Sequence, residues 1–477
     1  MSGDALPRLT KIIATVGPAC DALETLEAMI DAGMNVARIN LSHGTHDEHA
    51  ERIERVREAA QRRAAAVAVM LDTKGPEVRT APVADEPIAL LPGDEFVLHV
   101  DGRPGTAAGT SVTHLLLPRE VERGATVLVD DGQIELRVAA VRGDSVHCEV
   151  VRGGELGGRK SVHVQGARLS LPALGDADRA DLRFAVKQGA DWLAASFVRS
   201  ADDVRRIREL LRGHGTEIPI VAKIEDRDGV AHLEEIIDAA DGTMVARGDL
   251  GVALPVGEVP LIQKRIIRTT VSMGKPVITA TQMLDSMERN LRPTRAEATD
   301  VANAIFDGTS AVMLSGETAR GRHPVEAVRT LVELARQAER GLGEYGDLQR
   351  LRPPAPRTVT EAVAAAAVTL ARELRAAAIV TLTETGVTSR SVSKCRPACP
   401  ILAVTSFARV VRRLALSWGV TPLLGAGPGD GDEARIRFAT ARLLELGWAR
   451  PGDLVVATTG VARAQGSTNL IRVVPVG

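Results

Sequence analysis

The chain has 477 residues, 45% of them hydrophobic and 25% charged, which is enough for two or three folded domains and excludes disorder as the main state. Acidic (61) and basic (59) side chains nearly cancel, which excludes a broad electrostatic attraction to nucleic acid or to an anionic membrane. An anionic ligand must therefore be bound by a local site.

The N-terminal segment, Met1 to Cys20, has no basic stretch followed by an apolar one, so the sequence predicts no signal peptide. The longest apolar run, around Ala362 to Ala371, is far shorter than a membrane span. We therefore expect a cytoplasmic protein. Four cysteines follow neither a disulfide nor a zinc-ligand spacing and are predicted to be reduced thiols: Cys20, Cys148, Cys395 and Cys399.

Eight short, β-rich apolar runs recur along the chain, and most are followed by a helical pattern. Alternating strands and helices predict βα units around a parallel sheet, and eight units predict a (β/α)8 TIM barrel, an α/β fold. The runs are Lys11–Val16, Val36–Asn40, Val67–Asp72, Trp192–Phe197, Ile218–Glu225, Thr243–Arg247, Pro276–Thr281 and Ala311–Ser315.

Between the third and fourth runs, apolar and polar residues alternate around turn signals such as Asp131-Gly132. This texture predicts a small antiparallel β-barrel domain inserted as a lid, roughly Pro76 to Leu171. Removing it leaves about 250 residues, the usual length of a TIM barrel. The alternating stretches are Ile88–Val100, Thr126–Asp130, Ile134–Val141 and Ser145–Val151.

A Pro-rich segment, Leu351 to Pro356, predicts a linker to a separate C-terminal α/β domain. We expect the barrel at residues 1–75 and 172–345, the lid at 76–171 and the C-terminal domain at 346–477. The last domain is predicted to contain the helix Val359–Leu374 and the strands Ala378–Leu382, Ile401–Thr405, Val420–Leu424, Leu454–Thr458 and Leu470–Val476.

In TIM barrels the active site gathers at the carboxyl ends of the strands. Cations, carboxylates and hydroxyls all occur at these ends, a set that suits a phosphorylated substrate and a divalent metal. For any one residue taken alone, the start of a loop is the better explanation, but it does not explain the whole set. The set comprises Arg38, Asn40, Asp72, Ser196, Lys223, Glu225, Arg247–Asp249, Thr281 and Ser315.

Glu225 and Asp249 are the predicted ligands of a divalent cation, because Mg²⁺ takes one or two carboxylates and completes its shell with water and substrate oxygens. Lys223 and Glu225 are two residues apart on one strand and point to the same face. The alternative is a structural ion pair between them. Gly248 stands where the backbone must approach a ligand closely, although Gly-Asp also marks ordinary turns.

A second oxygen-rich group, carrying a single charge, suits a weakly hydrated monovalent cation better than Mg²⁺: Asn40, Ser42, Asp72 and Thr73. For Ser42 the alternative is a local turn. Three nearby histidines at intervals of three are not interpreted as a metal cluster. Thr45 followed by Glu48 predicts a capping box, which places these histidines at a helix start: His43, His46 and His49.

Seven stretches resemble the pyruvate kinase family, and this resemblance covers nearly the whole chain. It implies a barrel, an inserted β lid and a C-terminal α/β domain, in agreement with the organisation above. It also implies transfer of the phosphoryl group of phosphoenolpyruvate to ADP, which gives pyruvate and ATP. The stretches are Met34–Gly44, Leu71–Thr80, Ala222–Glu225, Met244–Gly251, Lys275–Leu284, Pro293–Glu297 and Met313–Ala319.

The resemblance also implies roles for individual residues. Lys223 stabilises charge on the transferred phosphoryl group, and Arg38 holds the phosphate of phosphoenolpyruvate. The enolate left by the transfer must be protonated at carbon, and our hypothesis for the donor is Thr281 or Ser315, acting through water. The carboxylate end of the substrate is held by Gly248, Asp249 and Thr281. Mg²⁺ or Mn²⁺ is bound by Glu225 and Asp249, K⁺ by Asn40, Ser42, Asp72 and Thr73, and the nucleotide by Asn40, His43, Arg79 and Lys160.

A loop of the C-terminal domain resembles the family's phosphate-cradling loop for allosteric effectors; the alternative is a helix start after a strand. The resemblance implies a homotetramer regulated by a phosphorylated effector. The predicted effector-loop residues are Thr383, Thr385, Gly386, Thr388, Ser389 and Arg390.

One segment and one single residue distinguish this chain within the family. Lys160–Gly166 reads Lys-Ser-Val-His-Val-Gln-Gly where the family usually reads Lys-Gly-Val-Asn-Leu-Pro-Gly, which alters a hinge of the lid. Glu77 stands where potassium-independent members carry a lysine, so the resemblance implies a potassium requirement.

Two other functions would make different demands on these residues. A non-catalytic, metabolite-binding regulatory paralogue would have no need of an intact Lys223, Glu225 and Asp249. A metal-dependent aldolase acting on pyruvate enolate would need neither Arg79, Lys160 nor a nucleotide lid.

Overall fold

The computed structural model describes residues 6–83, 87–167, 169–172, 174–350, 358–425, 431–460 and 468–477. The first barrel segment contains β1 (Lys11–Thr15), α1 (Leu23–Ala32), β2 (Val36–Asn40), α2 (His46–Arg62) and β3 (Ala68–Asp72). Helix α1 ends where Gly33 adopts φ 118°, a left-handed conformation that suits glycine.

Helix α2 begins with the predicted capping box, since Thr45 and Glu48 cap each other's backbone amides. His46 lies 2.7 Å from an Asp181 carboxylate oxygen and stacks on the ring of Phe184. The interpretation as helix-start residues is therefore confirmed for His46 and His49, whereas His43 lies in the loop before the helix.

The inserted segment contains β4 (Ile88–Leu90), β5 (Glu95–His99), β6 (Gly109–Ser111), α3 (Leu117–Glu120), β7 (Thr126–Val129), β8 (Ile134–Arg142), β9 (Ser145–Arg152), β10 (Gly154–Leu156) and β11 (Val162–Val164). One sheet has the order β11-β7-β8-β9-β5-β6, and β4 pairs with β10. The alternating stretch Ile88–Val100 forms two strands, β4 and β5. A turn through Gly93, whose φ is 93°, separates β4 from β5.

The predicted small barrel is an open sheet. Its two edge strands, β11 and β6, are connected through Arg79 and Thr80. Arg79 forms a single bridge to Ser161, next to β11, and Thr80 forms one to Val112, next to β6. Strand β6 pairs with β5 in parallel. The sequence did not predict β6, β10 and β11, because three residues are too few to show alternation.

The second barrel segment completes a closed parallel sheet of order β1-β16-β15-β14-β13-β12-β3-β2, which confirms the predicted TIM barrel. It contains α4 (Asp176–Lys187), β12 (Trp192–Ala195), α5 (Ala201–Gly213), β13 (Ile220–Ile224), α6 (Arg227–Ala231), α7 (Leu233–Ala239), β14 (Gly242–Ala246), α8 (Arg247–Ala253), α9 (Val259–Ser272), β15 (Val277–Ala280), α10 (Arg295–Phe306), β16 (Ala311–Leu314), α11 (Gly316–Ala319), α12 (Pro324–Arg340), α13 (Leu342–Tyr345) and α14 (Asp347–Arg350).

Successive residues of each barrel strand face opposite sides and belong to different apolar cores. Ile13 belongs to the core inside the barrel, whereas Ile12 and Ala14 pack in the core under the helices. Ala415 and Leu416 of the C-terminal domain also belong to the inner core. This domain therefore covers the N-terminal face of the barrel and leaves the carboxyl ends of the strands free for the site.

The C-terminal domain contains α15 (Val359–Glu373), β17 (Ala378–Leu382), α16 (Val387–Lys394), β18 (Ile401–Thr405), α17 (Ala408–Leu414), β19 (Val420–Leu424), α18 (Asp432–Glu445), β20 (Leu454–Gly460) and β21 (Thr468–Pro475). Its sheet has the order β19-β18-β17-β20-β21, with β21 antiparallel. The predicted linker at 351–356 lies outside the described residues. Across the described part of the chain, each helix is too short or too polar to cross a membrane.

Candidate active site

Lys223 lies at the centre of a buried polar network at the rim of the barrel. Its Nζ is 2.7 Å from Ser196 Oγ and 2.9 Å from a Glu225 carboxylate oxygen, and an Asp72 oxygen lies at 3.3 Å. Burial disfavours the ammonium form, but the carboxylates of Asp72 and Glu225 outweigh this effect and hold the pKa of Lys223 above its ordinary value. The side chain is therefore a fixed positive charge.

Arg38, on β2, provides a second buried cation. Its Nε donates to Asp72 at 2.6 Å, and its Nη1 donates to the Thr15 hydroxyl at 2.9 Å. Burial alone would raise the pKa of Asp72. The charges of Arg38 and Lys223 lower this pKa by more than burial raises it, so it lies below the ordinary value. One ionised carboxylate thus holds an arginine and a lysine in fixed positions, and together they can bind an anion.

Glu225 and Asp249 form a carboxyl pair beside this network. Glu225 follows β13 and accepts a hydrogen bond from the Phe197 amide, while Asp249 lies in the first turn of α8. Burial raises the pKa of Glu225; attraction to Lys223 opposes the rise and Asp249 reinforces it. Burial also raises the pKa of Asp249. Two adjacent carboxyl groups, Glu225 buried and Asp249 half-buried, favour a shared proton or a bound cation.

This pair fits a hard divalent cation, which needs only one or two protein carboxylates. In the described ranges no group of three or more His, Cys, Asp and Glu side chains is placed to hold a metal ion. A cation at Glu225 and Asp249 would therefore complete its shell with water and substrate oxygens.

Thr281 follows β15 in a strained conformation. Thr281 and Gln282 have φ values of 73° and 53°, which are unusual for residues other than glycine. Arg247 supports this turn: its Nη2 donates to the Thr281 carbonyl at 2.7 Å and its Nη1 pairs with Asp300. A Cβ on Gly248 would lie 2.8 Å from the Thr281 methyl group. The missing side chain of Gly248 therefore allows this close approach.

Ser315 follows β16, and its backbone amide donates to Glu317 at 2.6 Å. The other Glu317 oxygen accepts from the Leu284 amide at 3.0 Å. Glu317 is buried, so it connects the loops after β15 and β16 and fixes the backbone of Ser315. The sequence analysis missed this role; the signal was a glutamate within the stretch Met313–Ala319.

The predicted nucleotide residues lie where the lid meets the barrel. Arg79 Nε donates to Glu77 at 2.7 Å, and Lys160 Nζ donates to Asp130 at 2.9 Å. His43 lies on the exposed loop after β2. Partial burial, followed by the charges of Arg79 and Arg38, lowers the pKa of His43. Arg79 and Lys160 could bind phosphate groups here by exchanging Glu77 and Asp130 for phosphate oxygens.

The predicted potassium residues lie on neighbouring strand ends. Asn40 and Asp72 are opposite each other in the register of β2 and β3, and the Ser42 amide donates to the Asn40 side chain at 3.2 Å. The Thr73 hydroxyl is 3.4 Å from the Ala194 carbonyl. These four residues are adjacent, although the Asp72 carboxylate is already engaged by two cations.

In the predicted effector loop most hydroxyls are used within the fold. Ser389 is hydrogen-bonded to Thr381 at 2.7 Å, Thr388 to Thr468 at 2.5 Å, and Thr383 accepts from the Gly386 amide. Thr385 is exposed, and Arg390 extends to the boundary with the barrel. Of the six predicted residues, Thr385 is therefore the one with an exposed side chain.

Two residues of the buried network had no predicted role. Ser196, at the start of the loop after β12, was noted only as a strand-end residue, and it donates to the Thr73 carbonyl at 2.7 Å while accepting from Lys223. Thr15 is the last residue of β1. Its position at the carboxyl end of a barrel strand was the signal that could have identified it.

The closed βα barrel and its rim define the class of protein. Two fixed cations and a pair of carboxyl groups meet at the carboxyl ends of the strands, the place where TIM-barrel enzymes carry their active sites. This arrangement suits an anionic substrate held together with a divalent cation.

Comparison with known proteins identifies the family. The family described as pyruvate kinase, barrel domain matches residues 7–328, and that described as pyruvate kinase, alpha/beta domain matches residues 361–474. A pyruvate kinase of Geobacillus stearothermophilus is 49% identical over 472 residues, covering 98% of this chain and 80% of the relative. One of Clostridium acetobutylicum is 45% identical, covering 97% and 98%. The chain belongs to the pyruvate kinase family.

Proposed function

We propose that this chain is an active pyruvate kinase, which transfers the phosphoryl group of phosphoenolpyruvate to ADP and forms pyruvate and ATP. The observation that carries this proposal is the Lys223 ammonium, held by Asp72 and Glu225 beside Arg38 at the barrel rim. Phosphoryl transfer depends mainly on positioning and on neutralising the charge of the phosphoryl oxygens, which is what such a cluster provides.

In this mechanism Arg38 binds the phosphate of phosphoenolpyruvate, and the Lys223 ammonium stabilises the charge on the phosphoryl group during transfer. Gly248, Asp249 and Thr281 bind the carboxylate end of the substrate. Thr281 or Ser315 delivers a proton through water to the enolate carbon. Because Glu317 and Arg247 fix the two loops that carry these hydroxyls, little reorganisation is needed during the reaction.

Glu225 and Asp249 would hold Mg²⁺ or Mn²⁺, which neutralises substrate oxygens when bound. Asn40, Ser42, Asp72 and Thr73 would hold K⁺ beside the phosphoryl group. ADP would be bound by Arg79, Lys160 and His43, together with Asn40, in the cleft between the lid and the barrel. Glu77 and Asp130, which now pair with Arg79 and Lys160, would be exchanged for phosphate oxygens when the nucleotide binds.

The regulatory part of the proposal is a homotetramer activated by a phosphorylated metabolite at the loop around Thr385 and Gly386. The C-terminal domain packs against the inner barrel core through Ala415 and Leu416, which gives this domain direct contact with the catalytic barrel. Closed symmetry would then let one effector influence all sites.

Pyruvate formation from phosphoenolpyruvate, measured with and without ADP, tests the reaction. We expect stoichiometric pyruvate and ATP, and formation of pyruvate only when ADP is present. A regulatory paralogue would form no pyruvate, and an aldolase would act without ADP.

We expect Mg²⁺ to raise the melting temperature more at about pH 8 than at about pH 6. The pKa of Glu225 in the folded state lies above its ordinary value of 4.5, so the folded state retains a proton that the unfolded chain has lost. Stability therefore falls as the pH rises from the ordinary pKa towards the pKa in the folded state. A divalent cation bound to the ionised Glu225 carboxylate compensates this loss of stability. Thermal unfolding with MgCl₂ and with NaCl at equal ionic strength measures the difference.

The matched control is Glu225→Gln, which keeps the shape of the side chain and removes the charge. This variant should show a much smaller Mg²⁺-dependent shift at both pH values. Equal shifts at both pH values, or an undiminished shift in Glu225→Gln, would place the cation elsewhere.

A further inference from the structure

Two chain connections join the inserted lid to the barrel, and both pass the start of α4. The outgoing connection leaves β3 and turns at Gly75, which has a left-handed φ of 73°. The returning connection ends at Gly175, the residue before α4. These two glycines are distant in sequence, yet both are hydrogen-bonded by one side chain, that of Asp178 in the first turn of α4.

Asp178 uses both of its carboxylate oxygens for these contacts. Oδ1 accepts from the Gly75 amide at 2.9 Å, and Oδ2 accepts from the Gly175 amide at 2.8 Å. Asp178 is 4% exposed, so water has little access to either bond. A charged acceptor strengthens a hydrogen bond from a backbone amide, and the N-terminus of a helix favours the negative charge. One buried carboxylate therefore fixes the two ends of the lid relative to each other.

The returning connection has a further anchor in the barrel. Arg199, in the loop between β12 and α5, donates from Nη2 to the Leu171 carbonyl at 2.7 Å and from Nη1 to the Leu169 carbonyl at 3.3 Å. Both acceptors belong to the returning connection. Asp178 therefore ties a connection that is already anchored to the outgoing one.

The outgoing connection lies against the buried network around Lys223. A Cβ on Gly75 would lie 2.7 Å from the Ser196 Cβ and 3.0 Å from the Ser196 carbonyl oxygen, so the missing side chain allows this contact. Ser196 accepts from Lys223 at 2.7 Å and donates to the Thr73 carbonyl at 2.7 Å. A shift of Gly75 would therefore disturb Ser196 and the position of the Lys223 ammonium.

We infer that Asp178 is a positioning residue for phosphoryl transfer, because it pins both ends of the lid and keeps Gly75 packed against Ser196 while the lid moves. A lid that opens and closes needs a fixed point, since its ends would otherwise transmit each movement to the active site. The inference rests on the proposed function, because Asp178 acts through the lysine that stabilises the transferred phosphoryl group.

Asp178→Asn tests this role because it keeps the shape of the side chain but offers one oxygen and one NH₂ group, and the NH₂ group would face a glycine amide. We expect turnover to fall roughly ten- to a hundredfold, the scale of a small displacement of catalytic groups. The KM for phosphoenolpyruvate should change by less than about threefold, because the lost interaction acts on the transition state. A variant that had only lost stability would keep the parent turnover well below its melting temperature.

Hydrogen exchange of backbone amides, followed by mass spectrometry, reports on the hinge without an assay of activity. In the parent, the amides of Gly75 and Gly175 should exchange slowly both with and without phosphoenolpyruvate and MgCl₂. In Asp178→Asn at least one of them should exchange about tenfold faster or more, because one of its hydrogen bonds is lost. The measurement on the parent remains decisive if the variant does not fold.

Asp241→Asn is the matched control. Its Oδ2 accepts from the Ile220 amide at 2.9 Å and pairs with Arg208 at the start of β13, on the opposite face of the barrel. This variant should keep turnover within about twofold of the parent, because the lost contact is far from the lid.

The inference is overturned if Asp178→Asn retains more than about half of the parent turnover, if Asp241→Asn loses as much as Asp178→Asn, or if the Gly75 and Gly175 amides exchange freely in the parent. A parent that forms no pyruvate would refute the proposed function instead, and the exchange measurement would still decide whether Asp178 holds the hinge.

Discussion

Lys223→Met should lower turnover by at least roughly two to three orders of magnitude, the scale of losing one preorganised group that stabilises the transition state. The ammonium is fixed by Asp72, Glu225 and Ser196, so it is already in place when charge moves onto the transferred phosphoryl group. Binding of phosphoenolpyruvate should change much less, because Arg38 remains. Steady-state kinetics in both substrates, with direct binding of phosphoenolpyruvate, measure the two effects separately.

Lys223→Met also removes the ammonium that pairs with two buried carboxylates, so its effect on the stability of the fold has to be measured. Breaking a buried ion pair costs about 3–5 kcal/mol, and thermal unfolding will show how much the variant loses. Lys264→Met is the matched control, because Lys264 on α9 pairs with Asp307 at the end of α10, away from the rim. It should retain nearly full turnover. If Lys223→Met kept more than about a tenth of the parent turnover in a folded protein, the role given to this lysine would be wrong.

Activity should be low in sodium or tetramethylammonium buffer and should rise strongly with potassium at constant ionic strength. Glu77 provides the physical reason. It lies at the lid cleft, bonded to Arg79 at 2.7 Å, and its negative charge contributes to the field at Asp249. A lysine ammonium at this position could replace a monovalent cation, since a unit charge about 4 Å away is worth about 4 kcal/mol at an effective dielectric constant near 20.

Glu77→Lys should therefore flatten the dependence of turnover on potassium. Glu77→Gln is the matched control: it also breaks the pair with Arg79 but adds no cation, so it should keep the potassium requirement. Initial rates across a potassium series, at saturating Mg²⁺, compare the three proteins. Full activity of the parent without potassium would refute the site at Asn40, Ser42, Asp72 and Thr73, and the phosphoryl-transfer reaction would remain untouched by that result.

The sequence alone determined the local elements. All eight barrel strands were predicted to within two residues, and the C-terminal strands Ala378–Leu382, Ile401–Thr405 and Val420–Leu424 have the predicted bounds. Buried parallel strands are continuous apolar runs between turn residues, so their signal lies within each segment. The capping box at Thr45 and Glu48 was predictable for the same reason, because its partners are three residues apart.

The tertiary structure alone decided how these residues act together. Lys223 on β13 meets Asp72 from β3 and Ser196 beyond β12, and the sequence does not contain the distances among them. It also decided the left-handed turn at Thr281, supported by Arg247. Such features depend on contacts between distant segments, and the geometry of these contacts is fixed only when the barrel closes and the C-terminal domain packs against it. Propensity and periodicity describe a residue's neighbours along the chain, so they do not predict contacts with residues that are distant in sequence.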